Sequence, residues 1–173
     1  MIESQRLRII PFHRSLITSK YINWLNDPDV NRFSHQKDKF HTMNSCLDYL
    51  NSYANSENSF WAIVEICDGH GHIGNITATF DKDSTSADVG ILIGEKQLWS
   101  QGYGLEAWMA VCDFLICRKK ILKTTGGTVI KNKAMLSFFR KVGMREQPPP
   151  RVQQMIGGEL HDSIRFELLK ETD

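Results

Sequence analysis

Residues 99–107, Trp-Ser-Gln-Gly-Tyr-Gly-Leu-Glu-Ala, leave an apolar run and enter a segment with helical periodicity. Two glycines one residue apart let consecutive backbone N–H groups converge on one anion. The first turn of the following helix adds unpaired N–H groups and the positive end of its dipole. Such a turn suits a pyrophosphate, although it also serves as an ordinary strand-to-helix connection. A dinucleotide fold would require Gly-x-Gly-x-x-Gly in the first strand-turn-helix unit and an acidic residue about 20 positions on. Here the third glycine position is Ala107 and the turn lies past mid-chain. A phosphate-binding Walker loop closes on Gly-Lys-Ser/Thr, which this turn lacks.

The flanking segments alternate between strand and helix signals. Leu7 to Pro11 reads as an edge strand closed by proline. Tyr21, Trp24 and Leu25 fall at helical spacing before Pro28, and a second helix starts at Thr42 and passes Leu47 and Leu50, with Asn51 to Ser59 as a polar loop. Phe60–Ile66, His72–Phe80 and Ala87–Ile93 are apolar, β-branched runs joined by turn clusters, an antiparallel pattern. Leu105–Cys117 is helical, Thr124–Ile130 strand-like and Ala134–Val142 helical, while Gly157-Gly158 and Ser163–Leu169 suggest a closing hairpin.

A chain of 173 residues with 41% hydrophobic content suits one domain, 1–173, with one core. A formal charge of +1 gives no field for nucleic acid or a membrane surface. Cys46, Cys67, Cys112 and Cys117 show no Cys-x-x-Cys spacing, and the N-terminus lacks a secretory pattern, so reduced thiols and a cytoplasmic location are expected. No apolar run approaches the roughly 20 residues that span a bilayer. His70-Gly71-His72 lacks further ligands at metal spacing and reads as a hairpin turn, so no metal is expected.

Trp99 to Ala107 resembles a variant of the signature turn of the GNAT superfamily of acyl-CoA-dependent N-acetyltransferases, Arg/Gln-x-x-Gly-x-Gly/Ala, found in the branch related to the RimJ/RimL protein N-acetyltransferases. Asn132-Lys133-Ala134-Met135 and Lys141-Val142-Gly143-Met144 are similar to the family's Asn-x-x-Ser/Ala and Lys-x-Gly-Phe patterns, and Trp24 to Val30 resembles the segment opening the first helical pair. The resemblance covers most of the chain. It implies an α+β GNAT fold, with a mixed, mostly antiparallel sheet of about seven strands, about four flanking helices, and a fourth strand splayed from the fifth.

What the resemblance implies for the site follows residue by residue. Acetyl-CoA would be the co-substrate, its pantetheine arm held by backbone groups near Ile91, Leu92 and Ile93 of the fourth strand, one N–H of which would polarise the thioester carbonyl. Gln101, Gly102, Tyr103, Gly104 and Leu105 would face the pyrophosphate, with Tyr103 half-buried beside it, Trp99 packed under the turn and Glu106 bracing the helix. Asn132 would contact the pantetheine region, cap the following helix, or do both. The residue four before the family's terminal glycine, often a tyrosine that protonates the leaving thiolate, is Phe139.

The attacking amine must be neutral, so a base is expected. Asp88 on the central strand and His35 in the substrate loop are the candidates, each with a plainer reading, as a sheet hydrogen-bonding residue and as an exposed loop residue. Asn26, Asp27, Asn31, Arg32 and Asn75 would line the acceptor side, and His161-Asp162 resembles a pair seen in relatives acting on amino sugars, or else stabilises its turn. This polar set suits a hydroxylated, anionic acceptor such as an amino-sugar nucleotide of polysaccharide biosynthesis. The alternatives are the N-terminal amine of a protein, or a non-catalytic acyl-CoA-binding module. The partner is then a small-molecule amine, without nucleic acid or membrane insertion, and a homodimer is compatible with the chain.

Overall fold

The apolar runs build one mixed sheet, its central strands buried on consecutive residues, from β1 (Ile2–Glu3), β2 (Leu7–Pro11), β3 (Ser59–Glu65), β4 (Gly71–Phe80), β5 (Ser86–Ile93), β6 (Lys123–Val129), β7 (Arg145–Glu146), β8 (Val152–Ile156) and β9 (Glu159–Leu169). Four helices accompany it: α1 (Ser19–Asn26), α2 (Met43–Ala54), α3 (Tyr103–Cys117) and α4 (Lys133–Lys141). The computed structural model describes residues 1–148 and 152–170, so 149–151 and 171–173 of the expected 1–173 domain lie outside the described residues. The strand order is β1-β2-β3-β4-β5-β6-β9-β7, with β8 paired to β9. Among the described strands, only β5 and β6 pair in parallel, and α3 connects them.

The sheet buries both faces. Against one lie α3 and α4, through Trp108, Val111, Leu115, Leu136 and Phe139, packed on Ile63, Ile73, Ile76, Val89 and Phe166. Against the other lie α1 and α2, through Tyr21, Trp24 and Cys46, packed on Phe12, Phe60 and Ala62. All four cysteines are free, Cys46 and Cys112 buried, and burial pushes the Cys112 thiol up to about 12. No helix among the described residues is long and apolar enough to cross a membrane.

Several expectations shift. The expected loop over Asn51–Ser59 is helical as far as Ala54, because Cys46, Leu47, Leu50 and Tyr53 form one apolar stripe that packs on the sheet. The first strand of the fold is the two-residue β1, so the strand expected as the fourth is β5 and its parallel neighbour β6. Pairs as short as β1 and β7 leave no periodicity to read. The closing hairpin is longer than expected, with β8 and β9 in register from Val152↔Ser163 to Ile156↔Glu159.

β4 carries a bulge. Ile63 pairs with Gly74, but its neighbour Val64 pairs with His72, leaving Ile73 as the extra residue. The Ile73 carbonyl accepts from both Gly94 N at 2.9 Å and Glu95 N at 3.3 Å, which holds the end of β5.

Candidate active site

The glycine-rich turn leads directly into a helix, as read from the sequence. Gly102 precedes α3 at φ 87°, a left-handed conformation that glycine adopts freely. The first helical bond runs from Glu106 N to the Gly102 carbonyl at 3.0 Å. The N–H groups of Gly102, Tyr103, Gly104 and Leu105 therefore have no acceptor among the described residues, and they lie at the positive end of a 15-residue helix. Gln101 departs from expectation: its backbone N–H turns back to the Leu98 carbonyl at 3.4 Å and its side-chain amide to the Gln97 carbonyl at 2.7 Å, so the turn consumes its own donors. The Tyr103 side chain is buried, where half-burial was expected, and lies under the Arg6 guanidinium, 4.1 Å from the ring centre.

Glu106 braces this turn as expected. Its carboxylate accepts from Ser4 Oγ at 2.8 Å, Arg6 N at 2.7 Å and Arg6 Nε at 2.7 Å. Burial pushes its pKa up, but the Arg6 backbone, Ser4 and the Arg6 side chain outweigh that, and the carboxyl sits below its ordinary value. A depressed pKa contributes stability that is present above the unfolded value, about 4.3, and is lost as pH falls through the lower folded value. Glu106→Gln is expected to destabilise the fold by about 2 kcal/mol at neutral pH. Thermal melting at stepped pH should show the gap between the two proteins closing below about pH 4.

The strand separation implied by the resemblance is present. β5 and β6 pair only at Ser86↔Lys123, Ala87↔Thr124 and Asp88↔Thr125, so Val89 to Ile93 have no partner on the β6 side. The gap opens at the C-terminal ends of both strands, from which β5 leads to the N-terminus of α3 and β6 to Asn132. Gly104 faces it: a Cβ there would lie 3.5 Å from Ile93 Cγ1, 3.7 Å from Phe138 Cε2 and 3.9 Å from Ile91 Cδ1. Trp99 closes its end by donating Nε1–H to the Ile93 carbonyl at 2.8 Å, which leaves fewer open backbone groups on Ile93 than expected. Asn132 caps α4, Oδ1 accepting from Met135 N at 3.2 Å. Phe139 is 0% exposed, its ring 5.5 Å from Trp108 and 4.9 Å from Phe166, so that position is core; its half-buried neighbour Phe138 lies beside Gly104.

Leu92 and Asp88 lie on the face carrying α1 and α2, because Ala87 and Val89 face the α3 core. Asp88 Oδ1 accepts from Thr125 Oγ1 at 2.7 Å and forms an ion pair with Arg165, both side chains nearly half exposed. The candidate base is thus held at the vertex of the gap. Arg165 and Thr125, which complete this group, were missed by sequence reasoning, since 77 residues separate Arg165 from Asp88. His161 lies on the same face of β9 as Arg165; its side chain is 11% exposed, with Nε2 3.7 Å from the Glu159 carboxylate and Nδ1 unpartnered.

Three expected acceptor contacts are structural instead. Asn26 donates to the Ile22 carbonyl at 3.1 Å and the His41 carbonyl at 2.8 Å and accepts from His41 N at 2.8 Å, so both ends of its amide tie α1 to the start of α2. Asp27 accepts from Asp29 N and pairs with Lys96, each at 2.8 Å. Asn31 is buried and donates to the Leu25 carbonyl. Arg32 is exposed over the Phe33 ring, and His35 is exposed at the start of a 3-10 turn, with no hydrogen bond to Asp88 or Asn75. That turn touches the β8–β9 hairpin, where Asp38 Oδ2 accepts from Gly157 N at 2.9 Å. Asn75 is buried opposite Leu92, bonded to His72. Among the described residues, no group of three or more His, Cys, Asp or Glu side chains is placed to hold a metal ion.

A family model described as Acetyltransferase (GNAT) domain matches residues 6–145. The fold is similar to an acetyltransferase of the GNAT family from Bacillus anthracis, at 18% identity and TM-score 0.83, covering 97% of both chains. It is also similar to spermidine N-acetyltransferase from Vibrio cholerae in complex with CoA and spermine, at 13% identity and TM-score 0.84, covering 96% of both chains. A third is the Salmonella typhimurium acetyl transferase that modifies the N-terminal serine of ribosomal protein L7/L12, at 13% identity and TM-score 0.81, covering 97% of both chains. At these identities the likeness is one of fold. No curated protein sequence matches the chain at a significant level.

Proposed function

We propose that this chain, which belongs to the GNAT acetyltransferase family and is an N-acetyltransferase with acetyl-CoA as donor, acetylates the primary amine of an amino-sugar nucleotide. The single domain binds both substrates together and transfer is direct. The observation that carries the acceptor class is the Asp88–Arg165 pair at the vertex of the gap. A polyamine acceptor would call for uncompensated carboxylates there, whereas this carboxylate is matched by a guanidinium whose remaining N–H groups suit hydroxyl or phosphate oxygens.

The N–H groups of Gly102, Tyr103, Gly104 and Leu105 hold the pyrophosphate, and the unpaired edge of β5 near Ile91 and Leu92 holds the pantetheine amides. A β5 N–H aimed at the thioester oxygen stabilises the negative charge that develops as the amine attacks, an effect worth about 10²–10³ in rate. Asp88, through the oxygen not bonded to Thr125 and Arg165, accepts the proton from the amine. Asn132 caps α4 through Oδ1 and keeps its Nδ2 for the pantetheine arm. Phe139 supplies no proton to the departing sulfur, so water does.

Release of free CoA thiol from acetyl-CoA, measured with a nucleoside-diphosphate-linked amino sugar, a peptide with a free N-terminus and spermine, tests this. Turnover on the sugar is expected, with Asp88→Asn lowering kcat by about 100-fold and leaving the KM for acetyl-CoA unchanged. Turnover on the peptide alone would replace the amino-sugar reading with protein N-terminal acetylation. Binding of acetyl-CoA without turnover on any of the three would make the chain an acyl-CoA-binding module.

A further inference from the structure

His72 and Asn75 differ by an odd number of positions and would face opposite sides of a regular strand. The bulge at Ile73 puts them on the same side: His72 pairs across from Val64 and Asn75 from Ala62, both of which face α1 and α2. His72 Nε2 then lies 3.0 Å from the Gly74 carbonyl and 2.9 Å from Asn75 Oδ1. Two oxygens at one ring nitrogen require that nitrogen to carry the proton. The imidazole is packed among Phe12, Tyr21 and Trp24, with ring centres 5.8, 6.1 and 5.0 Å away. Burial, above all, lowers its pKa, so it stays neutral. With Oδ1 fixed, Asn75 turns its Nδ2 away from His72. That atom has no hydrogen-bond partner among the described residues and is not among the buried unpartnered atoms, and Asn75 lies directly across from Leu92 on the open strand.

We infer that His72 is a positioning residue that aims the Asn75 amide N–H groups at an oxygen of the acceptor, making the pair a specificity determinant. The acceptor it selects carries a hydroxyl or carbonyl oxygen near the reacting amine. This rests on the amino-sugar reading for the identity of the acceptor, but the geometry of the pair does not.

Steady-state kinetics on the full chain, with acetyl-CoA and a nucleoside-diphosphate-linked amino sugar, test it. His72→Phe, which keeps the ring packing, and Asn75→Asp, which exchanges the donor for an acceptor, are each expected to raise the acceptor KM about tenfold or more. The KM for acetyl-CoA should stay within about twofold, and the double variant should be no worse than the worse single one. His72→Gln keeps an N–H donor and is expected to recover most of the loss. Additive penalties, or a folded His72→Phe with unchanged acceptor KM, overturn the pair. A wild-type chain that acetylates only the peptide removes the amino-sugar reading, and the same variants on the peptide, whose first carbonyl oxygen lies near the amine, then decide the pair by the same criteria; one that acetylates only spermine, which has no oxygen, overturns the pair as well. If nothing turns over, the Asn75 side-chain amide resonances of nitrogen-15-labelled, CoA-loaded protein decide it. Movement on titrating the sugar, lost in His72→Phe, supports the pair, and unmoved resonances overturn it.

Discussion

Gly104→Trp is expected to lower the affinity for acetyl-CoA by more than about 100-fold, about 2.8 kcal/mol at 1.4 kcal/mol per decade. A methyl at this position meets Ile93, Phe138 and Ile91 at ordinary contact distances of 3.5 to 3.9 Å, so the backbone has no need to move. An indole must extend past them into the gap between β5 and β6. Gly104→Ala separates the two effects: it should change affinity by less than about tenfold and raise helix stability by up to about 1 kcal/mol. Calorimetric titration with acetyl-CoA, paired with thermal melting, checks both. Full affinity in a folded Gly104→Trp would show that the pantetheine arm does not use the gap. Equal loss in both variants would mean that the ligand touches the glycine Cα itself.

The turn was legible because its chemistry is local. Gly102 and Gly104 supply the backbone approach within a few residues, and the helix that follows supplies the dipole. The opening between β5 and β6 was available only through resemblance, because its cause is the register at which pairing stops, Asp88↔Thr125, and side-chain patterns on β5 read alike in a flat sheet. The bulge at Ile73 was hidden for the same reason, and with it the meeting of His72 and Asn75. His70-Gly71-His72 reads as a turn from sequence, and the turn is real: the buried Glu65 carboxylate accepts from the N–H groups of Cys67, Asp68 and His70. Only its last histidine leaves the turn and enters the strand.

The acceptor side was the less legible half. Asn26, Asp27 and Asn31 follow an apolar helical stripe, where asparagine and aspartate suit helix ends and turns as well as they suit a ligand. Their polar atoms go to His41, Asp29, Lys96 and Leu25. Asp88 was placed on the right strand, but the partner that sets its role, Arg165, comes from β9 across β6. Contacts between residues so far apart in the chain leave no periodicity that a sequence window can read.

Gly94→Ala should cost about 3 kcal/mol of stability. Its Cβ would lie 2.0 Å from Trp24 Cδ2, 2.3 Å from Cγ and 2.4 Å from Cε3, distances at which the indole has to leave. Trp24 anchors α1 at the end of β5: its Nε1 donates to Glu95 Oε1 at 3.2 Å, and Lys20 reaches the same carboxylate oxygen at 3.1 Å. Denaturant unfolding of Gly94→Ala in the wild-type and Trp24→Leu backgrounds tests this assignment. With the indole gone, the same methyl should cost less than about 1 kcal/mol, a coupling of about 2 kcal/mol. Additive costs would mean that the β5 backbone, not the tryptophan, refuses the methyl. Because the Trp24 ring also packs 5.0 Å from His72, moving it loosens the wall that holds the imidazole against Asn75. The acceptor KM should therefore rise in Gly94→Ala while affinity for acetyl-CoA, held by the turn at Gly102 and Gly104, changes little.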